Sequence, residues 1–448
     1  MMKYELKDFQ EKAVTKLTQL MVQADEMYRK YHDKISISLS AVTGSGKTVM
    51  AAAAIEALLN GSEEFNVEPH QNVVVLWVTD SPALNDQTFN KFQISSEMSV
   101  LMMHNIENTT TEEIRELQPG NIYFLNRQKL ADSSLLTRGG EIPTFWQILQ
   151  NTYDRGTTVY MMLDEAHRGL GQNSSHDEKR RQTIYRKLID GFTDTAEHFT
   201  LDPMPIVVGI SATIRRFEEA MQGRQKRTVL PEVSVSPADV QSSGLLKDTI
   251  VISVPSATDA MQGIYLTNAC RTLQESTDQW KLWCQVNQLP IVNPLMVIQV
   301  KDKVKSTELR ELCAEISEKI PWIDQHKSFA NVFGEQTDYS IGGFDIPYIQ
   351  PELVQDRKEI TVLFAKEAIS TGWDCPRAEV IYSLRSHNDD TYIAQLIGRM
   401  VRTPLARRVD VDTLNSVTCF LPYFDQTTVQ KVVDHLTKDS TDGSAVSV

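Results

Sequence analysis

The sequence predicts an α/β fold made of two successive domains, each a mostly parallel sheet flanked by helices. Three observations lead there. Short apolar, β-rich runs recur along both halves of the chain. Helix-like stretches separate them, which is the pattern of strand–helix–strand units. And 448 residues are too many for one hydrophobic core, so two or three domains are expected.

The first domain is expected over residues 1–240. It opens on an amphipathic helix with Leu6, Phe9, Ala13, Leu17 and Leu20 inward. "ISISLS" (35–40) reads as a strand, although its alternation suits a half-exposed strand better than a central parallel one. Residues 47–60 are rich in alanine and leucine and predict a helix, with Gly61 just past its end. "NVVVLWVT" (72–79), "NIYFLN" (121–126), "TVYMMLDE" (158–165) and "PIVVGISAT" (205–213) predict further strands. "GQNSSHDEKRR" (171–181) reads as a loop, and the proline-bearing segment 229–249 as the crossover between halves.

The second domain is expected over 241–448, with a helical connector at 258–290. Its strand candidates are "PLMVIQV" (294–300), "EITVLFA" (359–365), "EVIYSL" (379–384) and "SVTCFLPY" (416–423). No repeat of fixed period is visible, and "STDGSAVSV" reads as a frayed end.

Composition narrows the class. With 41% hydrophobic and 23% charged residues, the chain is of ordinary globular type. No apolar run approaches the ~20 residues that span a bilayer, and the first residues lack a signal-peptide core. A cytoplasmic protein without membrane partners is expected. Its five cysteines are scattered without a CxxC pair, which predicts reduced, buried thiols rather than disulfides or zinc. The net charge of −14 argues against holding nucleic acid by bulk charge, but leaves room for a local basic groove.

"AVTGSGKT" (41–48) lies between a predicted strand and a predicted helix. Thr43, Gly44, Ser45 and Gly46 would form a side-chain-poor turn whose backbone N–H groups point inward at the positive end of the new helix. Lys47 would reach the β- and γ-phosphates of a nucleotide, and the Thr48 hydroxyl would ligate Mg²⁺. Ala41 stands where the strict phosphate-loop pattern has glycine, and a glycine-bearing strand-to-helix turn is the other reading. "VYMMLDEAH" (159–167) is an apolar strand ending in two carboxylates. Asp164 would hold the metal and Glu165 would orient and deprotonate the attacking water. Gln10 could pair its amide with the N6/N7 edge of adenine, or be a surface glutamine.

Taken in order, "AVTGSGKT", "DEAH" and "GISAT" (209–213) resemble the motifs of superfamily 2 helicase-like motors of the DEAD/DEAH-box family. In that family alanine is common at the first loop position. The resemblance implies two tandem recA-like domains with the nucleotide cleft between them, and ATP and Mg²⁺ as cofactors. The S-A-T motif (Ser211, Ala212, Thr213) would couple the nucleotide site to the second domain. "QLIGRMVR" (395–402) matches the family's Q-x-x-G-R-x-x-R. It implies Gln395 facing the cleft, with Arg399 and Arg402 approaching the γ-phosphate. "AKEAISTGWDCPRAEVI" (365–381) matches the fifth motif, implying Gly372 and Asp374 near the ribose. Trp373 reads either as a core aromatic or as a stacking residue.

"STGWDCPRAEVIYSLR", "QLIGRMVRTPLARR", "SSGLLKD" (242–248) and "LNSVTCFLPYFD" (414–425) resemble the motor part of type III restriction subunits and related bacterial defence helicases. That implies an ATP-hydrolysing motor on nucleic acid, with duplex DNA ranked ahead of RNA. No nuclease constellation follows the sixth motif. The chain is therefore expected either to borrow its nuclease or other effector from a partner subunit, or to be the front of a longer protein. The rival reading is an ATP-gated nucleic-acid-binding switch without net translocation. Candidate nucleic-acid loops are 79–87, 126–130 and "IRRF" (214–217). The cations Lys179, Arg180, Arg181, Arg186, Lys187, Arg407 and Arg408 read equally as DNA contacts or as solvated surface.

Overall fold

The computed structural model describes residues 3 and 5–438 apart from residues 81, 132–133, 138–141, 167–183, 196, 213, 225–226, 256–261, 367–372 and 386–389. The chain divides into two compact units, Met1–Val42 with Gly46–Ser236, and Pro237–Val448 with Thr43–Ser45.

The first unit is built on one parallel sheet. In chain order its strands are β1 (Lys34–Ser40), β2 (Val73–Thr79), β3 (Met103–Asn105), β4 (Ile122–Asn126) and β5 (Thr158–Asp164). A separate antiparallel hairpin, β6 (Phe192–Asp194) with β7 (Phe199–Leu201), comes next. The sheet then resumes with β8 (Ile206–Ser211), β9 (Arg227–Val229) and β10 (Val233–Ser234). The spatial order is β10-β1-β8-β5-β2-β4-β3, with β9 also on β1. Every pairing is parallel, so all strands end at the same edge.

β2 reads VVVLWVT and is buried throughout, as expected of a strand covered on both faces. Trp77, Phe92 and Phe124 meet edge to face on one side, with centroids 5.2 and 5.4 Å apart. The other side packs Val74, Leu76, Tyr123, Leu149 and Met161 into a continuous apolar cluster. The alternation in β1 misleads about its place. Ser36 and Ser38 are fully buried, and Ser38 donates to the Glu218 carboxylate at 2.8 Å. Small hydroxylated side chains serve a two-sided strand here because a helix packs close over them. The segment 229–249 is likewise more than a connection: Leu39 and Ser40 pair with Val233 and Ser234, so it extends the sheet.

The second unit has its own parallel sheet, from β11 (Thr249–Ser253), β12 (Leu295–Gln299), β13 (Phe329–Asn331), β16 (Val362–Ala365), β17 (Ala378–Ser383) and β18 (Ser416–Phe420). The order is β11-β18-β17-β12-β16-β13, again all parallel. A hairpin of β14 (Tyr339–Ile341) and β15 (Phe344–Ile346) precedes β16. The helix Gln262–Val286 is part of this unit. It buries Leu266, Ala269 and Leu273 in the same core as Met296, Phe364 and Val380, and Trp280 and Cys284 in a second cluster with Val409 and Leu414. Both sheets are flanked by helices, the tandem recA-like architecture. All five cysteines are free and buried. Among the described residues, no helix is long and apolar enough to cross a membrane.

Candidate functional site

Three neighbouring strands of the first unit carry the nucleotide motifs. β8 lies between β1 and β5. Ser40, the last residue of β1, is level with Ser211 of β8. Asp164, the last residue of β5, is level with Ile210. The segment 41–48, the DE pair and the S-A-T segment thus leave the sheet side by side, at the carboxyl edge where open α/β sheets bind ligands. Two backbone bonds tie them together: Ala41 N–H donates to Ser211 at 3.3 Å, and Ala166 N–H to Ile210 at 3.0 Å.

The loop has the backbone its glycines allow. Gly44 and Gly46 take φ of 89° and 86°, a left-handed conformation that costs a residue bearing a Cβ. Gly46 directly precedes the helix Lys47–Asn60, so the helix's first N–H groups and positive dipole end face the loop. Lys47 Nζ donates to the Ala41 carbonyl at 3.0 Å, folded over the loop that it would share with phosphate. Thr48 follows in the first helical turn. A Cβ on Gly46 would come within 2.6 Å of Gln10 Nε2. Gln10 is buried, and its Oε1 accepts the Lys7 N–H at 3.0 Å.

Glu165 has φ of 50°, uncommon for a non-glycine residue and often a mark of function. Its N–H donates to Asp164 Oδ1 at 3.0 Å. Burial first, and then the adjacent Glu165 charge, push the Asp164 carboxyl up to about 6, with Lys47 pulling the other way. Two adjacent acids at one strand end give hard oxygen donors and excess negative charge. That chemistry fits Mg²⁺, which takes one or two carboxylates and keeps water or phosphate for the rest. Among the described residues no group of three or more His, Cys, Asp or Glu could hold a metal, and Mg²⁺ bound with nucleotide needs none.

In the second unit the fifth and sixth motifs meet. Arg399 donates to the Trp373 carbonyl at 3.3 Å, and Arg402 is ion-paired with Asp374. Asp374, which the resemblance places near the ribose, is the partner of that arginine. Trp373 is fully buried, so it is a core aromatic and not a stacking platform. Gly372 and Thr213, the side chain of Gln395, and Lys179, Arg180 and Arg181 lie outside the described residues.

The candidate nucleic-acid loops leave the same carboxyl edge of the first sheet, since Thr79 and Asn126 are paired at the ends of β2 and β4. Several of their cations are engaged internally. Arg127 and Asp80 form a buried ion pair at 2.5 Å, which Tyr185 joins at 3.4 Å. Lys129 binds the Ile106 carbonyl at 2.9 Å. Lys187 lies over the Phe192 ring and Arg407 over the Trp283 ring, while Arg408 pairs with Asp248 and Asp412.

Sequence reasoning missed Lys247. It is fully buried, and its ammonium bonds three main-chain carbonyls. The only hint was a cation directly after the apolar pair Leu245–Leu246 in "GLLKD".

Residues 3–216 match the family described as type III restriction enzyme, res subunit. No curated protein matches the chain. Among solved structures, a fragment of a putative HsdR subunit of a type I restriction enzyme from Vibrio vulnificus is 15% identical, with a TM-score of 0.49, over 100% of this chain and 69% of that one. The type ISP restriction-modification enzyme LlaBIII bound to DNA is 13% identical, with a TM-score of 0.48, over 97% of this chain and 30% of that one. The Pyrococcus furiosus Hef helicase domain is 12% identical, with a TM-score of 0.41, over 92% and 98%. Over residues 3–216, somewhat less than half of its length, the chain resembles the family of type III restriction enzyme res subunits, with its motifs on a parallel-sheet scaffold.

Proposed function

We propose that this chain is an ATP-dependent nucleic-acid motor, a helicase or translocase acting on duplex DNA within a bacterial restriction or anti-phage system. One observation carries the reading: segment 41–48, Asp164–Glu165 and Ser211 emerge from three adjacent strand ends at one sheet edge. In this reading Thr43 to Thr48 cradle the triphosphate, and Gln10 reads adenine. Thr48 and Asp164 hold Mg²⁺, and Glu165 takes the proton of the attacking water. Arg399 and Arg402 stabilise charge on the γ-phosphate, and Gln395, Gly372 and Asp374 serve nucleotide contact. A partner subunit supplies the nuclease or other effector.

The test is phosphate release with and without single-stranded DNA, duplex DNA and RNA, followed by triplex displacement to detect movement. Duplex DNA should stimulate turnover most, and a triplex strand should be displaced while ATP lasts. Stimulated turnover without displacement would favour an ATP-gated switch; equal turnover with and without every nucleic acid would end both readings.

A further inference from the structure

Lys247 sits where a cation is costly. Its side chain is wholly buried, and a buried ammonium is tolerated only when its protons are all taken up. Here they are: Nζ donates to the carbonyls of Pro376 at 3.0 Å, Ala378 at 2.9 Å and Met400 at 2.9 Å. Pro376 and Ala378 flank the turn into β17 that follows Asp374. Met400 ends the helix Asp390–Met400, which carries Arg399, and a cation there also meets the negative end of the helix dipole. The backbone of the same segment reinforces the link. Lys247 N–H donates to Val401 at 2.6 Å, Thr403 N–H to Leu245 at 3.0 Å, and Leu246 forms an antiparallel bridge with Arg402.

We propose that Lys247 is a positioning residue for hydrolysis, its ammonium locking the Asp374 loop against the end of the arginine helix so that Arg399 and Arg402 are presented in one fixed arrangement. This rests on the ATP-motor reading above. Arg399 and Arg402 already bind Trp373 and Asp374, so a shift between loop and helix would move both guanidinium groups together.

The charge on Lys247 is held near its limit. Burial pulls its pKa down to about 8, against the opposing pull of Glu379 and then Cys375. Among the described side chains, the other charged groups on the packed elements are Asp374 and Arg377 on the loop, Arg399 and Arg402 on and just past the helix, and Asp248 next in the chain. Glu379 is itself bonded by Ser276 and by Trp280, and burial drives the Cys375 thiol up to about 11. Above pH 8 the neutral amine keeps two protons for three carbonyls, so the lock weakens as pH rises.

The experiment measures nucleic-acid-stimulated turnover from pH 6.5 to about pH 9.5 in the full chain, for the wild type, Lys47→Ala and Lys247→Met, with nucleotide affinity measured separately. The wild type should lose kcat above about pH 8 with KM for ATP unchanged. Lys247→Met should lower kcat at least about tenfold, keep nucleotide affinity within about twofold, and lack the alkaline limb. A variant with wild-type kcat, with equal losses in kcat and affinity, or with the limb intact would overturn the proposal. If Lys247→Met does not fold, a flat wild-type kcat through pH 9.5 overturns it, and a selective fall near pH 8 upholds it. Turnover that survives in Lys47→Ala counts instead against the motor reading, and the proposal falls with it.

Discussion

Gln10 and Gly46 touch across 36 residues of sequence: a Cβ on Gly46 would lie 2.6 Å from Gln10 Nε2. The contact places the Gln10 amide against the turn that begins the helix Lys47–Asn60, so the proposed adenine reader and the proposed phosphate cradle would share one wall. Gly46→Ala meets two obstacles. The amide can swing away, but φ of 86° remains strained for alanine. A loss of about 1–3 kcal/mol in chemical denaturation is expected, together with loss of nucleotide binding. An unchanged denaturation midpoint would mean that the loop relaxes freely.

Gln10→Ala removes an amide whose Nε2 faces the loop and whose Oε1 accepts the Lys7 N–H. If it reads adenine, KM for ATP should rise about tenfold or more, while KM for GTP barely moves. Parallel losses for both nucleotides would reduce Gln10 to a helix-capping role.

With Asp164 as the proposed Mg²⁺ ligand, metal binding is linked to pH. The Asp164 carboxyl is pushed up to about 6 by burial and by Glu165, and a proton must leave before Mg²⁺ can bind. Apparent Mg²⁺ affinity should therefore fall about tenfold per pH unit below pH 6, and be level above it. The same shift sets the sign for stability. Between the ordinary carboxylate range and pH 6 the folded chain binds the extra proton, so metal-free stability declines as pH rises through that window. Asp164→Asn should raise the metal-free denaturation midpoint at pH 7 while abolishing hydrolysis. A lower midpoint would show that the charge is better compensated than these neighbours allow.

The Arg127–Asp80 pair tests what a basic loop is for. Both partners are buried, and the contact is 2.5 Å. Arg127→Ala strands a buried carboxylate, and should destabilise the chain by about 3–5 kcal/mol. The slope of nucleic-acid affinity against salt should stay as it was, since a guanidinium committed to Asp80 releases no phosphate counterion. A slope reduced by about one, with little loss of stability, would return Arg127 to the nucleic-acid surface.

The strong strands were legible because long apolar runs in a parallel sheet can hardly be anything else; 73–79, 158–164 and 206–211 lie inside the predicted runs. The two- and three-residue strands were not. Val233–Ser234 and Arg227–Val229 are strands only because β1 offers a free edge beside them, and that lies in tertiary structure. The serines of β1 misled because alternation reports polarity, while burial depends on what packs above. In the site, the loop that leads into Lys47 and the Asp164–Glu165 pair leave one edge of the sheet on either side of β8, because their spacing follows strand–turn–helix units. Lys247 and Arg377 were invisible for a common reason. Their partners are main-chain carbonyls, from Pro376, Ala378 and Met400 for one and Asn293, Val354, Arg357 and Ile360 for the other, and carbonyls leave no mark in sequence.

The central claim is that Lys47 and Glu165 serve one nucleotide, the first in holding its phosphates and the second in breaking them. The most direct measurement is ATP binding alongside nucleic-acid-stimulated phosphate release in the wild type, Lys47→Ala and Glu165→Gln. The account predicts stimulated release in the wild type alone, with ATP still bound by Glu165→Gln and lost from Lys47→Ala. Both variants releasing phosphate at the wild-type rate would contradict it.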